Sequence, residues 1–145
     1  MSDTFVSMAD AGGSDDPNTL MQAIPYCRYL GIRAEVHEGN LLLVMPFAPH
    51  LVGNPLAPAL HGGVIGALLE TAAIAQVLRE LRPAVLPKPI DITVDYMRQA
   101  RDLECRAHAH IIRHGRRVAN VEATMWQGDA TKPVASLRGH FLLAK

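Results

Sequence analysis

One segment constrains this chain more than any other. HGGVIGALLETAAIAQVLREL, residues 61–81, is the longest helical pattern present, rich in Ala and Leu and stopped before Pro83. Between His61 and Arg79 its only ionisable group is Glu70. Apolar residues surround nearly the whole helix through Leu78, so the helix must be buried on most of its circumference. The chain has 145 residues, enough for one ordinary domain. A single domain of that size has to supply the cover for such a helix from its remaining elements, or borrow it from a second copy.

The remaining elements read as strands. Ile32 to His37 and Leu41 to Phe47 flank the turn Glu38-Gly39-Asn40 and form a hairpin. Beyond the helix the period switches from helical to two. Ile92, Val94 and Tyr96 alternate with Asp91, Thr93 and Asp95, and Leu103 to Ile111 alternate in the same way. Arg117 to Gln127 and Val134 to Leu143 are two further strands, with turns at Gly115 and Gly128-Asp129. Four consecutive strands with short connections predict an antiparallel meander. A short helix from Asn18, interrupted by Pro25 and ended by Gly31, precedes the hairpin. The loop APHLVGNPLAPAL carries Pro49, Pro55 and Pro58, and predicts no regular element. Residues 1–17, small and acidic, read as a flexible leader, and 18–145 as the domain. The architecture expected is α+β, one antiparallel sheet wrapped around one long helix. One sheet covers one side of a helix, so the uncovered side predicts a homodimer.

Composition excludes several classes. Nearly half the residues are apolar (49%), which fills a core and excludes disorder throughout. No stretch approaches 18 uninterrupted apolar residues, so no membrane span is expected. Lys plus Arg and Asp plus Glu are both 14, and no global charge draws the chain to nucleic acid or membrane. The charge is uneven, near −5 over residues 1–78 and near +5 over 79–145, which suits a local anion site in the second half. Cys27 and Cys105 fit neither a disulfide framework nor a zinc site. His108 and His110 lack a third ligand at metal-binding spacing, so no metal and no cofactor are expected. The first residues lack the basic start and apolar stretch of a secretory signal, and a cytoplasmic location is expected.

Glu70 is the candidate reactive group. An unpaired carboxylate costs several kcal/mol to desolvate, so one set amid LL-E-TAA needs a reason. It is either a general base or nucleophile in an interface cleft, or a structural partner for an arginine or backbone donors. Gly62 and Gly63 open the helix, where free N–H groups and the positive dipole end can hold an oxyanion, and lacking Cβ they admit a ligand close to the backbone. The plainer reading is a turn that lets the chain enter the helix. Gly62 and Glu70 are eight residues apart, about 12 Å along a helix. A nucleophile and an oxyanion donor must both lie about 3 Å from one reacting centre. One helix cannot meet that condition. Two antiparallel helices across a two-fold axis can, each giving its Gly62 end to the partner's Glu70.

NPLAPALHGGVIGALLETAA resembles the active-site segment of hotdog-fold acyl-CoA thioesterases, the phenylacetate-pathway type and its 4-hydroxybenzoyl-CoA thioesterase relatives. Their pattern is HGG with an acidic residue nine positions after the His, matched by His61 and Glu70. ITVDYMRQA, from Ile92 to Ala100, resembles the strand that follows the helix, and the resemblance covers about residues 18–145. It implies hydrolysis of an acyl-CoA to free acid and coenzyme A by a homodimer or a tetramer of two dimers. It further implies that Glu70 attacks the thioester carbonyl or activates a water, that the Gly62 amide binds the carbonyl oxygen, and that His61 supports the loop or the thioester region. Asn54 matches the loop Asn that often precedes HGG. Gly63, Leu60 and Thr71 are candidate substrate contacts, and Leu56, Leu60, Ile65 and Leu69 the expected apolar lining for an aryl or medium-chain acyl group. Two positions depart from relatives: Ile74 stands where some have Thr, and Pro87-Lys88-Pro89 where others have Ser. The water-orienting group is thus open, with Thr71 a candidate by proximity.

The run RHGRR supplies Arg113, Arg116 and Arg117 in a turn. In the family such turns can meet coenzyme A phosphates, which suit the bidentate guanidinium; otherwise this is a solvated hairpin. Two other readings remain beside hydrolysis, a non-catalytic acyl-CoA-binding module and a hotdog dehydratase or hydratase. A binding module has no use for a desolvated Glu70, and the dehydratases set their His in a different loop without HGG. No GxSxG elbow is present, which excludes the α/β-hydrolase thioesterases.

Overall fold

The computed structural model describes residues 15–144. Two short helices come first, α1 (Pro17–Ala23) and α2 (Pro25–Leu30). Asp16 caps α1, its side chain accepting from the Asn18 N–H, and Pro25 divides the pair because it cannot continue α1. Gly31 closes α2 at φ 74°, a left-handed conformation that glycine adopts without cost. The leader expected over 1–17 lies outside the described residues up to 14, and its last residues already form the cap and first turn of α1.

Strands β1 (Arg33–His37) and β2 (Asn40–Met45) make the expected hairpin. The proline-rich loop that predicted no regular element holds a 3-10 turn (Pro49–Leu51) and a small ladder of β3 (Val52–Asn54) with β4 (Ala59–Leu60). Its prolines sit at the turns and leave the two short pairing segments free. Helix α3 (Gly62–Leu81) follows with His61 as N-cap, and then β5 (Lys88–Tyr96), β6 (Cys105–His114), β7 (Val118–Trp126) and β8 (Ala135–Leu142).

Six of these strands form one antiparallel sheet in the order β1-β2-β6-β7-β8-β5. The four-strand meander is therefore corrected to three. β6, β7 and β8 run as a meander, while β5 pairs with β8 at the far edge. The edge of β6 that β5 would have used is occupied by β2. Gly139 makes the β5–β8 approach possible, since a Cβ there would stand 2.8 Å from the Asp91 carbonyl oxygen. An edge position also accommodates Pro89 within β5, next to a register shift between Pro89 and Asp91.

The inner face of the sheet is lined by small residues that let the helix sit close. Ala107, Ala119, Ala123 and Ala135 are buried there with Val121, Met125, Leu137 and Phe141. Leu68, Leu69, Ala72, Ala73 and Val77 of α3 pack into the same core. Met125 and Phe141 pack in this core, and Trp126 is buried with its ring edge-on to His108. The opposite side of α3 is covered less well, and Val64, Ala67, Glu70, Thr71 and Ile74 are half-buried. Edge strand β5 is exposed along most of its length, including Ile90, Ile92 and Tyr96. Among the described residues no helix is long and apolar enough to cross a membrane.

Candidate functional site

The N-terminus of α3 is built by three pieces of chain that the ladder and loop hydrogen bonds bring together. The His61 N–H donates to the Leu51 carbonyl at 2.8 Å, and the Leu60 N–H to the Ala100 carbonyl at 3.1 Å. Gly53 of β3 lies against His61 so tightly that an added Cβ would fall 2.7 Å from the His61 Cα. The ladder sets Asn54 opposite Ala59, two residues before His61. The Asn54 Oδ1 accepts from the Leu56 N–H at 3.1 Å, which shapes the exposed turn between β3 and β4.

His61 caps the helix with its ring. The Gly63 N–H donates to His61 Nδ1 at 2.9 Å, and the Val64 N–H to the His61 carbonyl at 3.0 Å. The Gly62 N–H, at the first helical position, has no acceptor among the described residues. It is a free donor at the positive end of a 20-residue helix. The Tyr96 hydroxyl donates to the Gly62 carbonyl at 2.8 Å, tying edge strand β5 to this turn.

Glu70 lies two turns further along, on the poorly covered side, and has no ion pair or hydrogen bond among the described residues. It borders a cavity of about 230 Å³ whose other walls are Leu20 and Ile24 of α1 and its cap, Tyr26 of α2, Ala67, Thr71 and Ile74 of α3, and Leu86. None of the residues expected to form the apolar lining of the acyl site borders this cavity. Leu60, Ile65 and Leu69 are buried in the core, and Leu56 is 94% exposed on the β3–β4 turn. The apolar walls near Glu70 come instead from the N-terminal helices and the residues preceding β5. Thr71 borders the cavity, but its hydroxyl donates back to the Ala67 carbonyl at 2.7 Å. Burial pushes the Cys27 thiol up, against a smaller opposing effect of its hydrogen bond with Thr71, and pushes the Cys105 thiol up to about 11. Neither cysteine is suited to act as a nucleophile.

Arg113, Arg116 and Arg117 gather at the β6–β7 turn, around a surface depression that also includes His114, Asn120 and His140. His140 is held by Asp91, Nδ1 to Oδ1 at 2.8 Å, and this hydrogen bond keeps the Asp91 carboxyl below its usual range. The register places this turn far from Gly62. Tyr96, at the helix start, pairs with Ala135, whereas Lys88 and Val118 both pair with Leu142 at the other end of the sheet. Eight residues of strand separate the two levels, about 26 Å. Within one chain the structure thus unites Asn54, Leu60, His61, Gly62 and Gly63, sets Glu70 and Thr71 about 12 Å along the helix, and leaves the arginines at the opposite end.

Sequence reasoning missed Gly53 and Tyr96. Gly53 is one of several small residues in a loop, and nothing local marks the close approach to His61. Tyr96 reads as an ordinary member of a period-two strand until its hydroxyl is seen on the helix. Among the described residues no group of three His, Cys, Asp or Glu is placed to hold a metal ion.

Comparison with known proteins accords with this geometry. The acyl-CoA thioesterase N-terminal domain family matches residues 52–142, from β3 through β8. The medium/long-chain acyl-CoA thioesterase YigI of Salmonella typhimurium is 33% identical over 120 residues, 73% of this chain and 77% of that protein. A solved Chromobacterium violaceum protein is 33% identical with a TM-score of 0.70, covering 100% of this chain and 98% of the other. A Bacillus halodurans protein solved with CoA shares the fold at a TM-score of 0.75 and 23% identity, covering 99% of this chain and 93% of its own. The long helix with its HGG opening, the six-stranded sheet around it and these matches place the chain in the hotdog-fold acyl-CoA thioesterase family, a family of thioester hydrolases.

Proposed function

We propose that this protein hydrolyses acyl-CoA thioesters with aliphatic or aryl acyl groups, using Glu70 as the reactive carboxylate and the Gly62 N–H as the donor that polarises the thioester carbonyl. The observation that carries this reading is Glu70 itself, a half-buried carboxylate without a protein partner among the described residues, on the rim of an otherwise mostly apolar cavity. A structural carboxylate would be paired. The apolar walls suit a hydrocarbon acyl group, in keeping with the similarity to YigI, whose name specifies medium and long chains.

The reaction needs a carbonyl carbon reached by a nucleophile on one face while its oxygen is held by a fixed donor. Either Glu70 takes a proton from water as the water attacks, or its carboxylate attacks and the acyl-enzyme anhydride is then hydrolysed. In both routes negative charge develops on the carbonyl oxygen, where a preorganised N–H at a helix terminus stabilises it. The C–S bond then breaks: in the first route the proton taken by Glu70 passes to the departing sulfur, and in the second coenzyme A leaves as a thiolate, protonated by solvent, before water hydrolyses the anhydride. Because Gly62 and Glu70 of one helix stand about 12 Å apart, the working site pairs Gly62 of one protomer with Glu70 of another in a homodimer. The half-covered side of α3 and the exposed edge strand β5 supply the apolar and backbone surfaces for that pairing.

Glu70→Gln tests the proposal. The amide keeps size and polarity but is neither base nor effective nucleophile, so kcat should fall by at least about 100-fold, some 2.7 kcal/mol of barrier. The melting temperature should hold or rise, because Gln removes a half-buried charge and leaves no protein partner unpaired. Retained activity with a lowered melting temperature would make Glu70 a structural residue.

A further inference from the structure

The proposed chemistry leaves Tyr96 unexplained. It stands at the end of an edge strand and is 55% exposed, yet its hydroxyl donates to the Gly62 carbonyl at 2.8 Å. That carbonyl belongs to the same peptide group as the Gly63 N–H, which donates to His61 Nδ1 at 2.9 Å. The two hydrogen bonds are in series across one amide. The glycines of this turn make room for them: a Cβ on Gly62 would meet the Tyr96 hydroxyl at 3.4 Å, and one on Gly63 would meet His61 Nδ1 at 3.0 Å.

We infer that Tyr96 is a positioning residue for hydrolysis, acting through the Gly62–Gly63 peptide group to hold the His61 imidazole as its Nε2–H tautomer at the mouth of α3. A donor on an amide oxygen draws electron density from the nitrogen and strengthens its N–H, by roughly 10–30% per linked bond. The strengthened Gly63 N–H occupies the Nδ1 lone pair. A neutral imidazole whose Nδ1 accepts must carry its proton on Nε2. Nε2–H has no acceptor among the described residues, so the ring offers a donor on the residue adjoining the free Gly62 N–H. An imidazolium could not accept from Gly63, and the other tautomer would set two protons against each other. Tyr96 therefore biases the His61 ring toward one tautomer, and does so from a strand that also forms the edge of the sheet.

This inference rests on the reading that α3 presents its first turn to the thioester, and its test separates the two. Tyr96→Phe keeps the ring and removes only the hydroxyl. Measured per folded protein, kcat should fall about tenfold, the scale of one lost hydrogen bond, with KM for the acyl-CoA within about twofold. The discriminating measurement is a double-mutant cycle with His61→Ala. If Tyr96 acts through His61, adding Tyr96→Phe to His61→Ala costs nothing further. A merely structural tyrosine would cost the same in both backgrounds, and that result overturns the inference, as does an unchanged kcat in Tyr96→Phe. Nitrogen-15 NMR of the unaltered protein supplies a readout independent of activity. His61 should show an unprotonated Nδ1 and a protonated Nε2 at neutral pH, and the reverse pattern overturns the inference outright. Full activity in Glu70→Gln would instead remove the carboxylate mechanism, while the NMR tautomer would still report on the relay.

Discussion

Gly53 and His61 approach so closely that any side chain at position 53 would collide with the helix cap: an added Cβ would sit 2.7 Å from the His61 Cα and 2.9 Å from its Cβ. Both are atoms of fixed position, so the contact cannot be relieved by turning a flexible side chain. Gly53→Ala should therefore displace β3 from His61 and loosen the first turn of α3. The expected outcome is a fall in kcat of at least about tenfold, because the donor geometry is sensitive to shifts of an ångström, together with a melting temperature lower by several degrees. A variant with normal rate and stability would show that β3 does not support the cap.

The arginine turn offers a separable prediction. If Arg113, Arg116 and Arg117 hold coenzyme A phosphates, removing their charge takes away binding that substrate and transition state share. Each alanine variant should raise KM and leave kcat nearly unchanged, and the effect should shrink with dephospho-CoA thioesters. In one chain this turn stands about 26 Å from the Gly62 level of the sheet, so a productive contact needs the turn of the second protomer. Unchanged KM in all three variants would return the turn to an ordinary solvated hairpin.

The fold was legible where burial dictates pattern. The apolar circumference of α3 and the period-two alternation of the strands follow from the same core, and both could be read from residue spacing. The placement of β5 could not be read. Its alternation says that it is a strand, but pairing with β8 and not β6 depends on β2 having taken the β6 edge and on the close approach that Gly139 permits. Neither is a local property of the β5 residues.

The site divides in the same way. Glu70 stood out because a carboxylate in an apolar run is costly, and the HGG opening because, with the acid nine positions after the His, it resembles the thioesterase active-site segment. Leu60, Ile65 and Leu69, the expected apolar lining, are buried in the core; helical spacing cannot distinguish a cavity-facing position from a sheet-facing one for Ile65 and Leu69, and Leu60 lies in β4. Residues distant in sequence, Leu20, Ile24, Tyr26 and Leu86, form the walls instead. Tyr96 reaches Gly62 across 34 positions, and a contact of that range leaves no mark on the local pattern of either segment.

The proposed trans arrangement of the site is tested most directly by mixing two variants. Glu70→Gln removes the carboxylate from one protomer's contribution, and Gly62→Pro removes the amide donor, since proline has no N–H and is tolerated in the first helical turn. Each variant assembled with itself should be nearly inactive. In a mixed dimer, one of the two sites combines a damaged Gly62 with a damaged Glu70, and the other combines the intact Gly62 of the first chain with the intact Glu70 of the second. Half the dimers are mixed at equal ratio and free exchange, and half the sites in each are whole, so activity should recover to about a quarter of the unaltered protein's. Exchange is verified by pairing chains of distinguishable mass. Were the site built within one chain, every protomer in the mixture would lack one of its two groups and no activity would return. Failure to recover despite proven exchange would therefore place the oxyanion donor for Glu70 elsewhere than on the partner's Gly62.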